Sequence, residues 1–161
     1  MYIDSQESLQ KLCDKLLQVN KIFFDTEFIR ERTFYPDLCL LQICADGELF
    51  AIDPLQTNVQ PLLEQLVSRE TLLILPSGRQ DLEILFNATG RLPKNVFDTQ
   101  IAATVCGFGE QVGYQQLVER LTGHNIDKSQ RFTDWSSDLF LRSKLTMRSR
   151  MSNIFPRFMK N

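Results

Sequence analysis

The chain alternates between short, continuous apolar runs and longer segments in which apolar residues recur every three or four positions. Short runs bounded by turn residues predict buried strands, and the longer period predicts helices that bury one face. The predicted strands span residues 21–27, 38–45, 48–52 and 71–75, and the predicted helices span residues 5–19, 57–68, 78–88, 98–106 and 114–122. A strand hairpin followed by alternating strands and helices predicts an α/β domain with a mixed central sheet flanked by helices.

Turn and capping residues set several boundaries of these elements. Asp4 or Ser5 can cap the first helix, and Asp98 can cap the helix that runs to about residue 106. Ala45-Asp46-Gly47 predicts a tight hairpin between the second and third strands. The stripe that the first helix is expected to bury consists of four leucines: Leu9, Leu12, Leu16 and Leu17.

Composition places the chain among ordinary globular domains. It has 161 residues, of which 43% are hydrophobic and 24% charged, as expected for one domain with a real core. No apolar run is long enough to span a membrane, and the acidic N-terminus lacks the basic region of a secretory signal. The four cysteines have no CxxC spacing, so we expect buried, reduced thiols and a cytoplasmic location; they are Cys13, Cys39, Cys44 and Cys106.

The net charge of −2 conceals an uneven distribution. Residues 1–138 carry 12 basic and 20 acidic side chains, a balance of −8, whereas residues 139–161 carry six basic side chains and no acidic one, a balance of +6. A basic terminal segment is typical of arms that bind nucleic acid. A segment read out of frame would also have an unusual charge balance, so both explanations stay open on charge alone.

The apolar run Ile22-Phe23-Phe24 leads directly into Asp25-Thr26-Glu27. Side chains two residues apart on a strand share a face, so Asp25 and Glu27 project together and Thr26 projects the other way. Two carboxylates this close repel each other, and a hard divalent cation that prefers oxygen ligands resolves the repulsion. The alternative is a strand end exposed to water, where carboxylates cost little.

A third carboxylate, Asp81, follows the fourth predicted strand, in the first turn of the next predicted helix. It can stabilise that helix simply by offsetting the helix dipole. In a parallel α/β arrangement the same turn opens near the strand that carries Asp25 and Glu27. Convergence of the three carboxylates would suit two Mg²⁺ ions about 4 Å apart, an arrangement that hydrolyses phosphodiesters.

With these residues the chain resembles ribonuclease D and its relatives, the DEDD 3′-5′ exonucleases with an RNase H-like fold. The resemblance runs from residue 22 to about residue 136 and is carried by FFDTEF, RTFYPDLCLLQI, RQDLEIL, VFDTQIAATVCG and DKSQRFTDWS, in that order. It implies that Asp25, Glu27 and Asp81 are catalytic metal ligands for Mg²⁺ or Mn²⁺, and that Thr26 and Phe28 lie beside the terminal nucleotide. It further implies that the partner is the 3′ end of RNA or single-stranded nucleic acid. Of the family's branches, one has a His five residues before its last Asp, but here Ser129 lies five residues after the single histidine, His124, so the resemblance is to the other branch, DEDDy.

The sequence departs from this family pattern at two places. Pro76 stands where ribonuclease D sequences usually have His, which removes a backbone donor near the site. After Trp135 and Ser136 the family continues with Arg-Pro-Leu and a helix carrying Tyr-x-x-x-Asp, whereas this chain has neither Tyr nor Asp after Asp138. Suitable codons can be assigned to the residues from Ser137 onward. When the reading frame of these codons is moved by two bases, they encode Arg-Pro-Leu and then Tyr-Ala-Val-Lys-Asp, which indicates a frameshift.

The sequence therefore predicts an incomplete exonuclease domain over residues 1–136, without its C-terminal helix, followed by an out-of-frame basic tail over residues 137–161. We expect weak binding of at most one divalent ion and little or no 3′-5′ exonuclease activity, because the missing motif supplies the fourth metal ligand and the tyrosine that positions water. The alternatives are a non-catalytic remnant that binds nucleic acid and the functionless product of a decaying gene.

Overall fold

The computed structural model describes residues 1–30 and 36–109. Its elements in chain order are β1 (Tyr2–Ile3), α1 (Gln6–Leu16), β2 (Lys21–Ile29), β3 (Asp37–Ala45), β4 (Glu48–Ile52), α2 (Gln60–Ser68), β5 (Leu72–Leu75), α3 (Arg79–Thr89), β6 (Asn95–Asp98) and α4 (Thr99–Val105). Residues 1–99 form one compact unit, and residues from 100 onward belong to a second. The predicted helix at 114–122, His124 and the tail from residue 137 lie outside the described residues.

Within residues 1–30 and 36–109, six strands form one mixed sheet in the order β1-β4-β3-β2-β5-β6. The central strand β2 pairs antiparallel with β3 and parallel with β5. β4 continues the sheet antiparallel to β3, and β6 continues it parallel to β5. The predicted α/β class with a mixed sheet is confirmed, and so are the β3–β4 hairpin and the four predicted strands, which correspond to β2, β3, β4 and β5.

Some predicted boundaries were wrong, and two strands were missed. The helix expected from residue 57 begins only at Gln60, because the Thr57 hydroxyl donates to the Asp53 carbonyl oxygen (2.6 Å) and the Gln60 N–H donates to Asn58 Oδ1 (3.1 Å). These bonds hold a turn before the helix, and Pro61 favours its first turn. The missed strands β1 and β6 are two and four residues long, too short for a recognisable hydrophobic period.

Helix α1 begins where the capping signal predicts and ends earlier than predicted. The Ser5 hydroxyl oxygen accepts a hydrogen bond from the Ser8 N–H (3.4 Å), which identifies Ser5 as the cap. Leu9, Leu12 and Leu16 are buried, but the helix stops at Leu16 and Leu17 is 45% exposed. Inclusion of Leu17 in the buried stripe was therefore wrong, because this C-cap residue keeps helical backbone angles and lies about 100° around the helix axis from Leu16, away from the buried face.

The two faces of the sheet have different surroundings. On the first, α1, α2 and α3 bury an apolar core against strand residues that include Ile22, Phe24, Leu41, Ile43 and Ile52; we call this the helix-covered face. Alternation along the strands assigns the opposite face to Phe23, Asp25 and Glu27 of β2 and to Leu40, Gln42 and Cys44 of β3; we call this the carboxylate face. Both carboxylates of β2 therefore lie opposite the main apolar core.

Two expectations from composition can be compared with the structure. Cys13, Cys39 and Cys44 are buried free thiols, as predicted, but Cys106 is exposed, which the composition could not indicate. In the ranges that the structure describes, no helix has the length and apolar character needed to cross a membrane.

Candidate active site

The Asp-Thr-Glu segment lies near the end of β2, in register with the middle of β3. Asp25 is opposite Gln42, Thr26 opposite Leu41, and Glu27 opposite Leu40. Asp25 is buried and Glu27 is half-buried. The alternative of a strand end freely exposed to water therefore does not describe Asp25, whose carboxylate has been removed from most of its solvent.

A β-bulge follows this segment directly. Glu27 pairs with Leu40 and Phe28 pairs with Leu38, so Cys39 is an extra residue on β3. A bulge bends its strand and increases the local twist, and bulges are frequent beside active sites, where they redirect side chains. Here the bent strand is β3, and the bend lies opposite the step from Glu27 to Phe28 on β2.

Asp81 reaches the same end of β2 from the first turn of α3. It is only 5% exposed, and its Oδ1 accepts a hydrogen bond from the Thr26 hydroxyl at 2.6 Å. Burial raises the pKa of the Asp81 carboxyl above its ordinary value, although the hydrogen bonds from Thr26 oppose the rise. The residue between the two carboxylates of β2 therefore holds the third.

A sharp turn between β5 and α3 positions Asp81. Ser77 adopts a left-handed conformation (φ 64°), and a Cβ on Gly78 would lie 2.5 Å from the Leu75 Cβ, so only glycine fits there. The Asp98 carboxylate, at the end of β6, accepts hydrogen bonds from the backbone N–H groups of Ser77 (3.3 Å) and Gly78 (2.8 Å). Asp98 thus anchors the start of α3, a contact that the sequence did not reveal.

Two further sequence features are clarified by this turn. The helix expected after Asp98 exists as α4, and the contacts of Asp98 with Ser77 and Gly78 give its carboxylate a structural role at the start of α3. Pro76 lies just past β5, whose pairing with β6 continues to Leu75. The missing N–H of Pro76 therefore interrupts no pairing within β5.

The structure brings the predicted site residues to one end of β2 without forming a ready-made metal site. Within residues 1–30 and 36–109, no group of three or more Asp, Glu, His or Cys side chains is arranged to hold one ion. The chemistry nevertheless fits a hard cation, since carboxylate oxygens are the ligands it prefers and Asp25 and Asp81 are buried. The predicted set of Asp25, Glu27 and Asp81 stays a prediction.

The two predicted nucleotide-binding residues lie on the other side of β2 from Asp25 and Glu27. Alternation places Thr26 and Phe28 on the helix-covered face. Thr26 is buried, and its hydroxyl is engaged by Asp81, whereas Phe28 is half-buried. Their assignment to substrate binding stays a prediction, and the observed role of Thr26 is to hold a carboxylate.

The sequence reasoning missed Gln42, whose buried side chain lies directly opposite Asp25. Gln42 is the one polar residue within the run LCLLQICA, and a single amide in an otherwise apolar buried strand is a signal that could have found it. Its pairing with Asp25, by contrast, depends on the register between two strands and is not visible in the sequence.

A groove elsewhere on the first unit contains none of these residues. Its volume is about 650 Å³, and it lies beside the start of β3 and between α2 and α3, lined mainly by apolar side chains such as Leu38, Leu63, Ile84 and Phe86. The predicted site residues at the end of β2 therefore do not line this groove.

Comparisons with known proteins agree with the fold and with the sequence motifs. The sequence profile of a family described as 3′-5′ exonuclease matches residues 1–148. Ribonuclease D of Zymomonas mobilis is 44% identical over 165 residues, covering 98% of this chain and 42% of the relative, and ribonuclease D of Sphingobium indicum is 44% identical over 137 residues, covering 83% and 35%. The crystal structure of Escherichia coli RNase D, an exoribonuclease involved in structured RNA processing, superimposes with a TM-score of 0.87 at 34% identity, covering 99% of this chain and 43% of that one.

The mixed sheet with its carboxylate-bearing central strand defines the class as an RNase H-like exonuclease domain. The chain belongs to the 3′-5′ exonuclease family and is similar within it to ribonuclease D. It spans about 42% of the length of the Zymomonas mobilis relative. This family is metal-dependent, usually with Mg²⁺, and the predicted RNase H-like fold is confirmed.

Proposed function

We propose that this chain is a cytoplasmic 3′-5′ exonuclease domain that binds a divalent cation through Asp25, Glu27 and Asp81. Its substrate is the 3′ end of single-stranded RNA, and its hydrolytic activity is low or absent. The observation that carries the proposal is the hydrogen bond from Thr26 to Asp81, which brings a third carboxylate, itself buried, to the Asp-Thr-Glu end of β2. The buried free thiols suit a reducing compartment.

Each side chain has a distinct task in this proposal. Asp25 and Glu27 offer oxygen ligands from one face of β2, and Thr26 fixes the Asp81 carboxylate from the other face. Bound Mg²⁺ or Mn²⁺ supplies Lewis-acid stabilisation of the scissile phosphate and activation of the attacking water. Phe28 extends the strand beyond the carboxylates, where a terminal base could stack on its ring.

Low activity follows from the composition of the last segment. Residues 139–161 contain no Asp, Glu or Tyr, so they supply neither a fourth carboxylate nor a tyrosine to orient water. Preorganised charge usually contributes more than any other effect to transition-state stabilisation, and an incomplete ligand set weakens it. The proposed frameshift near residue 137 explains this segment and its excess of basic side chains together, and the genomic sequence around that codon tests it directly.

Isothermal titration calorimetry with Mg²⁺ or Mn²⁺ tests the metal site. We expect weak binding by the full chain, and binding at least about tenfold weaker in Asp25→Asn, because removal of a ligand charge lowers the affinity of an oxygen site. Asp46→Asn, at the exposed tip of the β3–β4 hairpin, is the matched control and should bind as the parent does. Absence of binding in the parent, or equal binding in Asp25→Asn, would contradict the site.

A nuclease assay on single-stranded RNA labelled at its 5′ end tests the substrate and the low rate. We expect slow shortening from the 3′ end with Mn²⁺, or none, and rapid shortening by a version repaired in frame after residue 136. Equal rates for the two proteins would contradict the proposed loss of activity. RNA binding that is independent of metal and tightens at low salt, without cleavage, would favour a non-catalytic remnant.

A further inference from the structure

Gln42 occupies an unusual position beside the proposed metal site. It lies in the middle of β3, only 1% exposed, and its cross-strand neighbours are Asp25 on β2 and Ala51 on β4. In the part of the chain that the structure describes, neither Nε2 nor Oε1 of this amide has a hydrogen-bond partner. Most buried side-chain amides are hydrogen-bonded, so each exception calls for a physical explanation.

The surroundings of Gln42 limit what its amide can reach. On the same face of β3 its neighbours are Leu40 and Cys44, and the side chain opposite on β4 is the methyl group of Ala51. Directly opposite residues of an antiparallel pair bring their Cβ atoms to about 4.5–5.5 Å, so Asp25 is the adjacent carboxylate. Glu27 lies on the diagonal, about 7–8 Å away for such a pair.

Burial of an amide without a partner costs free energy that an apolar side chain of the same shape avoids. A group with such a cost is understandable if it gains its partner in another state of the protein. A carboxylate that turns to bind a cation needs its second oxygen held, and hydrogen-bond donors that hold metal ligands in this way strongly affect metal affinity. Gln42 has the required donor at the required position.

We propose that Gln42 is a positioning residue that orients Asp25 for the divalent cation. In the loaded state Nε2 donates a hydrogen bond to the Asp25 carboxylate oxygen that does not contact the ion, and Oε1 accepts one from a water molecule at the same site. The inference rests on the proposed function, since it assumes that Asp25 is a ligand. It adds a residue from β3, whereas the predicted ligands come from β2 and α3.

The test uses Gln42→Met in the full chain, because methionine nearly matches glutamine in shape and has no amide. Calorimetry should show Mg²⁺ affinity about 10–100-fold weaker than in the parent, the usual effect of losing a hydrogen bond to a metal ligand. Thermal unfolding in EDTA should show a higher Tm than that of the parent, because the unpartnered amide is gone. If Gln42→Met does not unfold cooperatively, Gln42→Leu serves for the same two measurements.

Leu40→Met is the matched control, since Leu40 is equally buried, lies on the same face and pairs with Glu27. It should leave Mg²⁺ affinity within about twofold, because a volume-conserving apolar exchange changes no polar contact. Equal Mg²⁺ affinity in Gln42→Met and parent would overturn the inference and leave the proposed function intact. A parent that binds no Mg²⁺ would overturn the proposed function and, with it, this inference.

Discussion

The helix-covered face and the carboxylate face are built from alternate residues of the same strands, yet they bury different chemistry. On the first, Phe24, Leu41 and Ile43 are fully buried among other apolar side chains. On the second, Asp25 and Gln42 are also buried, although a polar side chain loses free energy when it leaves water. The first face therefore stabilises the sheet by apolar burial, while the second uses part of that stability to keep polar side chains buried.

Phe24 is the largest buried side chain that β2 contributes to the helix-covered face, so its truncation should have the greatest effect on stability. Phe24→Ala on the helix-covered face should lower the free energy of unfolding by about 3–5 kcal/mol, because it opens a cavity in a closely packed core. Urea denaturation measures the change. Phe86→Ala is the control, since Phe86 is 51% exposed and its truncation leaves no enclosed cavity. Equal losses in the two variants would show that the helix-covered face is not the main source of stability.

The helix-covered face also contains a polar contact, the hydrogen bond between Thr26 and Asp81, which gives a second test. Thr26→Val preserves the shape of the side chain and removes the donor to a buried carboxylate, so unfolding should become easier by about 1.5–3 kcal/mol. Thr26→Ser retains the hydroxyl and should recover most of the hydrogen-bond contribution. Denaturation at neutral pH would contradict the assignment if Val and Ser variants were equally stable.

The turn before α3 gives a third test, at adjacent residues with opposite expectations. Gly78→Ala should destabilise the protein by about 1–3 kcal/mol, because the new methyl group would overlap the Leu75 side chain. Ser77→Gly should be neutral or stabilising by up to about 1 kcal/mol, since glycine adopts the left-handed conformation of this position without steric cost. Thermal unfolding checks both, and a stable Gly78→Ala would mean that the turn does not fix α3.

Some strands could be predicted from the sequence and others could not, and the difference has a physical basis. The strand β2 was predictable because three consecutive apolar residues precede the carboxylates, and the same-face placement of Asp25 and Glu27 follows from the period of a strand. Strand β6 was missed because four residues, with Val96 and Phe97 partly exposed, give no clear period. Local pattern thus identifies elements whose burial is strong and regular.

The contacts that complete the candidate site are of another kind. Asp98 reaches the start of α3 from 20 residues away, and Gln42 meets Asp25 only because of the register between β2 and β3. Strand alternation correctly predicted that Thr26 faces away from Asp25 and Glu27. No local pattern predicted that Asp81 would form a hydrogen bond with Thr26 on that face. Such contacts depend on how elements pack, so residue types could be proposed from sequence while their partners could not.

Strand β1 lies at the opposite edge of the sheet from β6, and loss of its polar contact with Asp53 should change stability only slightly. The Tyr2 hydroxyl donates to Asp53 Oδ2 at 2.7 Å, and Tyr2→Phe should cost about 0.5–1.5 kcal/mol at neutral pH. Burial, followed by this hydrogen bond and the charge of Asp53, raises the pKa of Tyr2 from 10.0 to about 12. Because the folded pKa lies above the unfolded one, the stabilisation is complete below pH 10 and is lost as the pH rises through about 12. The Tm difference between parent and Tyr2→Phe should therefore stay constant up to about pH 10 and decrease at higher pH. A difference that is already absent at pH 10 would show that Asp53 does not keep the tyrosine protonated.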